Sequence, residues 1–147
     1  MPRDQLELVQ DLAERQEKEA GQRLSQAQSQ LDAGQGQLDQ VMLYRTDYYR
    51  LATGAGGDLI DTNQLQTARH FLSQLDTLVD RQQKTVEQAQ AVLEQQRVAW
   101  IETKRRVTAI KNLRISRGKA EQQRLDNVTQ RGLDEQFAIK TFYSKGR

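Results

Sequence analysis

Two tracts of this chain carry apolar or small residues at alternating steps of four and three, and a glycine-rich stretch separates them. In the first tract Ala20, Leu24, Ala27, Leu31, Gly34, Leu38 and Val41 keep that spacing, with Leu6, Ala13 and Tyr48 in the same phase. In the second it is kept by Leu65, Ala68, Leu72, Leu75, Val79, Gln82, Val86, Ala89, Leu93, Gln96, Trp100, Thr103, Val107 and Ile110. A repeat averaging about 3.5 residues holds one stripe of a helix against a partner over many turns, which is the coiled-coil condition. Leu6 to Leu51 and Leu65 to Ile110 are each 46 residues long, or roughly 70 Å of helix at about 1.5 Å per residue.

The stretch "LATGAGGDLID" from 51 to 61 is the one firm interruption. Gly54, Gly56 and Gly57 tolerate the positive φ that closes a helix, and Asp58, Asp61 or Thr62 can cap the next one. Matched helices around such a break predict the tip of an antiparallel hairpin. The expected fold is all-α, a long antiparallel two-helix coiled-coil hairpin with helix two extending beyond helix one. As a single coiled-coil domain over 1–147 it has helix one at about 4–52, a glycine tip at 53–61, helix two at about 62–140 and a flexible C-terminal end.

Folding about the tip sets residue x opposite roughly 116 − x or 117 − x. Large residues then meet large ones, Leu24 with Leu93, Leu31 with Val86 and Leu38 with Val79, while Ala27 meets Ala89, Ala20 meets Gln96 and Gly34 meets Gln82. Complementary layers are what a close-packed seam requires. The same register sets Trp100 against Glu17 and Val107 against Gln10, so little burial is expected at the open end. Past Ile110 the repeat is expected to lose its partner, with Gly118 and Gly132 weakening the projecting helix.

Composition fits exposed helices: 36% hydrophobic and 29% charged residues, with no cysteine, one histidine and one proline, Pro2. A disulfide framework and thiolate metal ligands are excluded, and a reducing cytoplasm is compatible. The start "MPRDQLELV" has no apolar core of a secretory signal, and no run approaches the roughly 18 apolar residues of a membrane span, so a soluble chain is expected. Charge is uneven: residues 97 to 147 hold 13 Lys/Arg against 5 Asp/Glu, while the rest is net acidic. A basic third on an acidic body suits an acidic partner or nucleic acid, though a solvated helical face looks the same in sequence.

Catalytic chemistry has little to stand on. His70 lies beside the seam and is expected at the surface; "GAGGD" lacks the Lys-Ser/Thr and preceding strand of a phosphate loop. A hairpin offers no concave cavity for a small substrate. No enzyme activity, cofactor or metal is expected.

Surfaces remain. Phe71 and Leu78, just off the core positions, form a stripe with Leu75 and Gln82 at i, i+4, i+7 and i+11, and Tyr44, Tyr48 and Tyr49 lie opposite on helix one. An aromatic patch that two helices cannot bury is a docking site, unless its rings only broaden the seam. Arg97, Lys104 and Lys111 recur every seven residues, as do Arg117, Arg124 and Arg131, a pattern suited to a track of acidic side chains or a phosphate backbone. Phe137, Phe142 and Tyr143 near the C-terminus make only a weak base-stacking set, so nucleic acid is not expected as a partner.

In order, "LELVQDLAERQEKEA", "YRTDYYRL" before the tip, a lone tryptophan before a basic run in "WIETKRRV", and "EQQRLDNVTQRGLDEQFAIKTF" resemble the flagellar export protein FliJ family. The resemblance implies a cytoplasmic component of the bacterial flagellar type III export apparatus, peripheral to the inner membrane through protein contacts. It implies a two-helix stalk that inserts into the export ATPase ring, contacts the membrane export gate and handles export chaperones. Tyr44, Tyr48, Phe71, Leu75, Leu78 and Gln82 would then meet the gate, and Arg97, Lys104, Lys111, Arg117 and Arg124 the ATPase. The glycine tip and the residues after Phe142 carry no part of the resemblance. The competing readings are the equivalent stalk of a virulence-type secretion system, a self-associating structural coiled coil such as a parallel dimer, and a nucleic-acid-binding hairpin.

The register is tested by pairing cysteines introduced at Leu31 and Val86. A hairpin cross-links them within one chain, and oxidation gives a monomer of altered mobility on denaturing gels; a product of doubled mass instead would favour the parallel dimer.

Overall fold

A computed structural model describes residues 4–53 and 61–145. Two helices account for nearly all of them, α1 at Gln5–Ala52 and α2 at Thr62–Lys145. They pack antiparallel as a helical hairpin. Gly54, Gly56, Gly57 and Asp58, expected to form the tip, lie outside the described residues.

Each helix start is set by an aspartate. The Leu6 amide donates to the Asp4 carboxylate at 3.3 Å, and the Leu8 amide to the Asp4 carbonyl at 3.2 Å. Asp61 precedes α2, its carbonyl accepting from the Leu65 amide at 2.9 Å while its own amide donates to Oε1 of Gln64 at 3.4 Å. The latter bond is one half of a capping box, so of the caps considered Asp61 holds the first position outside the helix.

The described chain divides into two compact units, Gln16–Glu102 and the combination of Met1–Arg15 with Thr103–Arg147. Within Gln16–Glu102 the seam positions are buried or half-buried at the expected heptad spacing, with Ala52 an additional buried member of the same phase. Leu38, Val79 and Val86 form a cluster against which Leu31 and Val41 pack, as the register demands. Gly34 faces both Val86 and Gln82, and Nε2 of Gln82 donates across the seam to the Gly34 carbonyl at 3.1 Å and to Oε1 of Gln37 at 3.2 Å. The half-buried amide is thereby satisfied, which offsets the cost of placing it beside apolar layers. Arg45 and Asp76 bridge the helices at 2.9 Å, both well exposed, a contact worth about 0–1 kcal/mol. Because one chain's two helices pair with each other along this seam, a parallel dimer is not needed to bury it.

Trp100 is half-buried on the seam. Its indole lies over Gly21, one turn from Glu17, with Nε1 3.4 Å from where a Cβ would stand. A large ring needs a partner without a side chain, and glycine supplies that space.

The second unit also buries more than its register suggests. Ala13 and Val107 are 3% and 5% exposed, and Arg114 is half-buried with its Nη1 donating to Oε1 of Gln10 at 2.7 Å. Pairing therefore continues past Ile110, because a long arginine reaches the opposite glutamine where an apolar side chain could not. Lys111 meets Glu14 at 3.7 Å. Beyond Arg114, α2 is exposed at every described side chain except the half-buried Thr141, and the helix is continuous through Gly118 and Gly132.

Gly36 lies inside α1 with nothing within 4 Å of a built Cβ. Alanine there removes the backbone-entropy cost of a helical glycine without a clash, so Gly36→Ala should raise the unfolding free energy by about 0.5–1 kcal/mol. Chemical denaturation followed by circular dichroism reads this as a higher midpoint at unchanged slope.

Candidate functional site

The aromatic patch in the Gln16–Glu102 unit is only partly assembled as expected. The rings of Tyr48 and Phe71 pack with centroids 4.6 Å apart at 48°, a tilted contact between the facing helices. They line an open cleft of about 530 Å³ with Leu51, Asn63, Gln64, Thr67 and Ala68. Tyr44 lies apart from this pair; its hydroxyl accepts from Nε2 of Gln40 at 3.3 Å. Tyr49, 58% exposed, lines a separate groove with Met42, Arg45 and Thr46.

The stripe read on α2 is split by the structure. Phe71 and Leu78 are exposed at 39% and 44%, whereas Leu75 is 6% exposed and belongs to the seam. Gln82 is turned inward onto Gly34 and Gln37. The reason lies in the heptad itself: Leu75 and Gln82 are core-phase residues, and spacing of four and seven is shared by a core stripe and a flanking one. Leu51, Asn63, Gln64 and Thr67 of the cleft are outside the sequence-based patch; the last three are polar residues next to a turn and carry no apolar periodicity.

The basic residues occupy one helix in varied states. Arg97, in the Gln16–Glu102 unit, pairs with Glu94 at 3.3 Å across one turn. In the other unit Lys104 and Arg117 lie on exposed positions, Lys111 reaches Glu14, and Arg124 pairs with Glu121 at 2.7 Å. The Arg124 hydrogen bond, followed by its charge, holds the Glu121 carboxyl below the usual range. These pairs are exposed and exchangeable, so they leave the row able to meet an external carboxylate.

His70 is exposed, 3.4 Å from Nε2 of Gln74. Among the described residues no cluster of three or more His, Cys, Asp or Glu could hold a metal, and no helix is long and apolar enough to cross a membrane.

A helical hairpin whose described residues present exposed apolar and charged faces has the form of a stalk or adaptor. The family model described as Flagellar FliJ protein matches residues 2–147, so the chain belongs to the FliJ family. It is accordingly a non-enzymatic stalk or adaptor of the bacterial flagellar type III protein export apparatus. Comparisons with curated proteins and with solved structures gave no match.

The division between seam and surface has a direct energetic test. Leu75→Ala should cost about 2–3 kcal/mol of stability, as expected for a buried leucine, and Leu78→Ala under about 0.5 kcal/mol. Equal losses in thermal or denaturant unfolding would place Leu78 in the core as well.

Proposed function

We propose that this chain works in the export apparatus by holding two protein partners, the export ATPase ring and the membrane export gate, while handling export chaperones. It acts in the cytoplasm, peripheral to the inner membrane through those contacts. Arg97, Lys104, Lys111, Arg117 and Arg124 meet the ATPase. Tyr44, Tyr48, Phe71 and Leu78 meet the gate, with Leu75 and Gln82 fixing the helix that presents them rather than touching the partner.

The observation that carries this reading is the pairing of a matched family over residues 2–147 with a basic row on α2. A ring of ATPase subunits lined by carboxylates attracts such a row at long range and orients it, and neighbouring cations at seven-residue spacing fix rotation about the helix axis. The Tyr48–Phe71 pair suits a different task. Rings already packed against each other lose little freedom on binding, so their exposed edges bind at low entropic cost. The matched family is flagellar, which favours the flagellar over the virulence-type apparatus.

ATP hydrolysis and ring assembly by the cognate export ATPase should rise when the chain is added. The rise should fall at least tenfold for Arg97→Glu with Lys104→Glu and Lys111→Glu, while helicity is kept. Phe71→Ala with Leu78→Ala should spare this stimulation and weaken gate binding at least tenfold. Stimulation untouched by charge reversal would remove the basic row from the ATPase contact.

A further inference from the structure

Beyond Arg114, where the exposed Ile115, Leu133 and Phe137 stand on another side of α2, four apolar residues share a face that no described helix covers: Leu125, Val128, Ile139 and Phe142 are 46%, 56%, 55% and 75% exposed. At about 100° per residue they fall within an arc of about 100°, the width of a helix-packing face. Val128 and Phe142 lie in the column that continues Val107 and Arg114, a column that also holds Glu121 and Glu135, while the column of Ile110 runs on to Arg117, Arg124 and Arg131. Leu125 and Ile139, with Gly132 between them, stand one position past that arginine column, so the arginines run along one edge of the stripe.

We propose that this face takes an amphipathic α-helix of a partner protein, one that carries carboxylates at seven-residue spacing. The charge pattern selects that occupant. A helix laid on the stripe brings its flanking positions against Arg117, Arg124 and Arg131, where acidic residues complete interhelical pairs. A second copy of this chain does not supply them. Antiparallel, its arginine row falls against the same arginine row; parallel, it falls against Gln122, Thr129 and Gln136 on the opposite edge, which carry no charge. A phosphate backbone would satisfy the arginines but bury none of the leucine, valine, isoleucine or phenylalanine. Arg124 presently pairs with Glu121 at 2.7 Å, and because both side chains are exposed, a partner carboxylate can replace that intramolecular one at little cost.

The inference rests on the assignment of Arg117 and Arg124 to partner binding, and it adds an apolar face and a secondary structure for what they bind. The test uses the full chain and two fluorescent 28-residue helical peptides, both with leucine at the core heptad positions, one with glutamate and one with lysine at the flanking positions. The glutamate peptide should bind at least tenfold more tightly. Leu125→Gln with Ile139→Gln should weaken it at least tenfold with helicity retained, and Arg117→Glu with Arg124→Glu and Arg131→Glu should reverse the preference. Equal binding of the two peptides, or no effect of the leucine and isoleucine changes, would overturn the proposal. So would sedimentation showing a dimer that those two changes make monomeric. ATPase stimulation by the same variants is measured in parallel. Stimulation without glutamate-peptide binding sinks the inference and leaves the ATPase reading standing; peptide binding without stimulation does the reverse.

Discussion

Close approach of two helices at one column of small residues is the constraint on which the rest depends. Ala13, Ala20, Ala27 and Gly34 recur every seven residues on α1, and the three alanines are only 1–4% exposed. Between the buried layers of Leu38, Leu75, Val79 and Val86, the short side chains of that column let the two helices come close. A missing or short side chain lets the opposite helix reach backbone, which is why Gln82 bonds the Gly34 carbonyl and Trp100 lies on Gly21. Dispersion and desolvation then act over a long contact rather than at a few large residues.

That economy decides what function is open to the molecule. A seam only two helices wide encloses one stripe of each helix, and large side chains off that stripe stand at the surface. The outcome is visible in the exposed Leu8, Leu12, Leu43, Phe71 and Leu78, together with the apolar residues of α2 beyond Arg114. Helices arranged in this way can only present faces. A stalk or adaptor is the work that such faces do, and the family match agrees with what the packing permits.

The seam phase was legible in the sequence because a heptad repeat leaves the same trace in residue type as in burial. Fourteen core positions read on the second tract, Leu65 through Ile110, are all buried or half-buried. What lay beyond reading were choices between neighbours. The register sets Trp100 near Glu17 but does not show that Gly21, one turn away, makes room for its ring. The heptad already sets Leu75 on the seam and Leu78 off it, and their burial agrees; what spacing alone did not exclude was grouping Leu75 and Gln82 with the flanking stripe of Phe71 and Leu78. Arg114 was missed for a different reason: a seam position need not be apolar when a glutamine waits across it.

Electrostatics sharpens the division between the two faces. Lys111 and Glu14 tie α2 to α1, while Arg124 and Glu121 tie α2 only to itself. The first pair contributes to holding the hairpin together, so its charge is spent on structure as well as on any partner. The second pair contributes to nothing outside its own turn of helix, and an incoming carboxylate can take its place without loosening the seam. A binding surface on this chain is therefore cheapest to use where α2 is exposed, because recognition there competes with no contact that the fold requires.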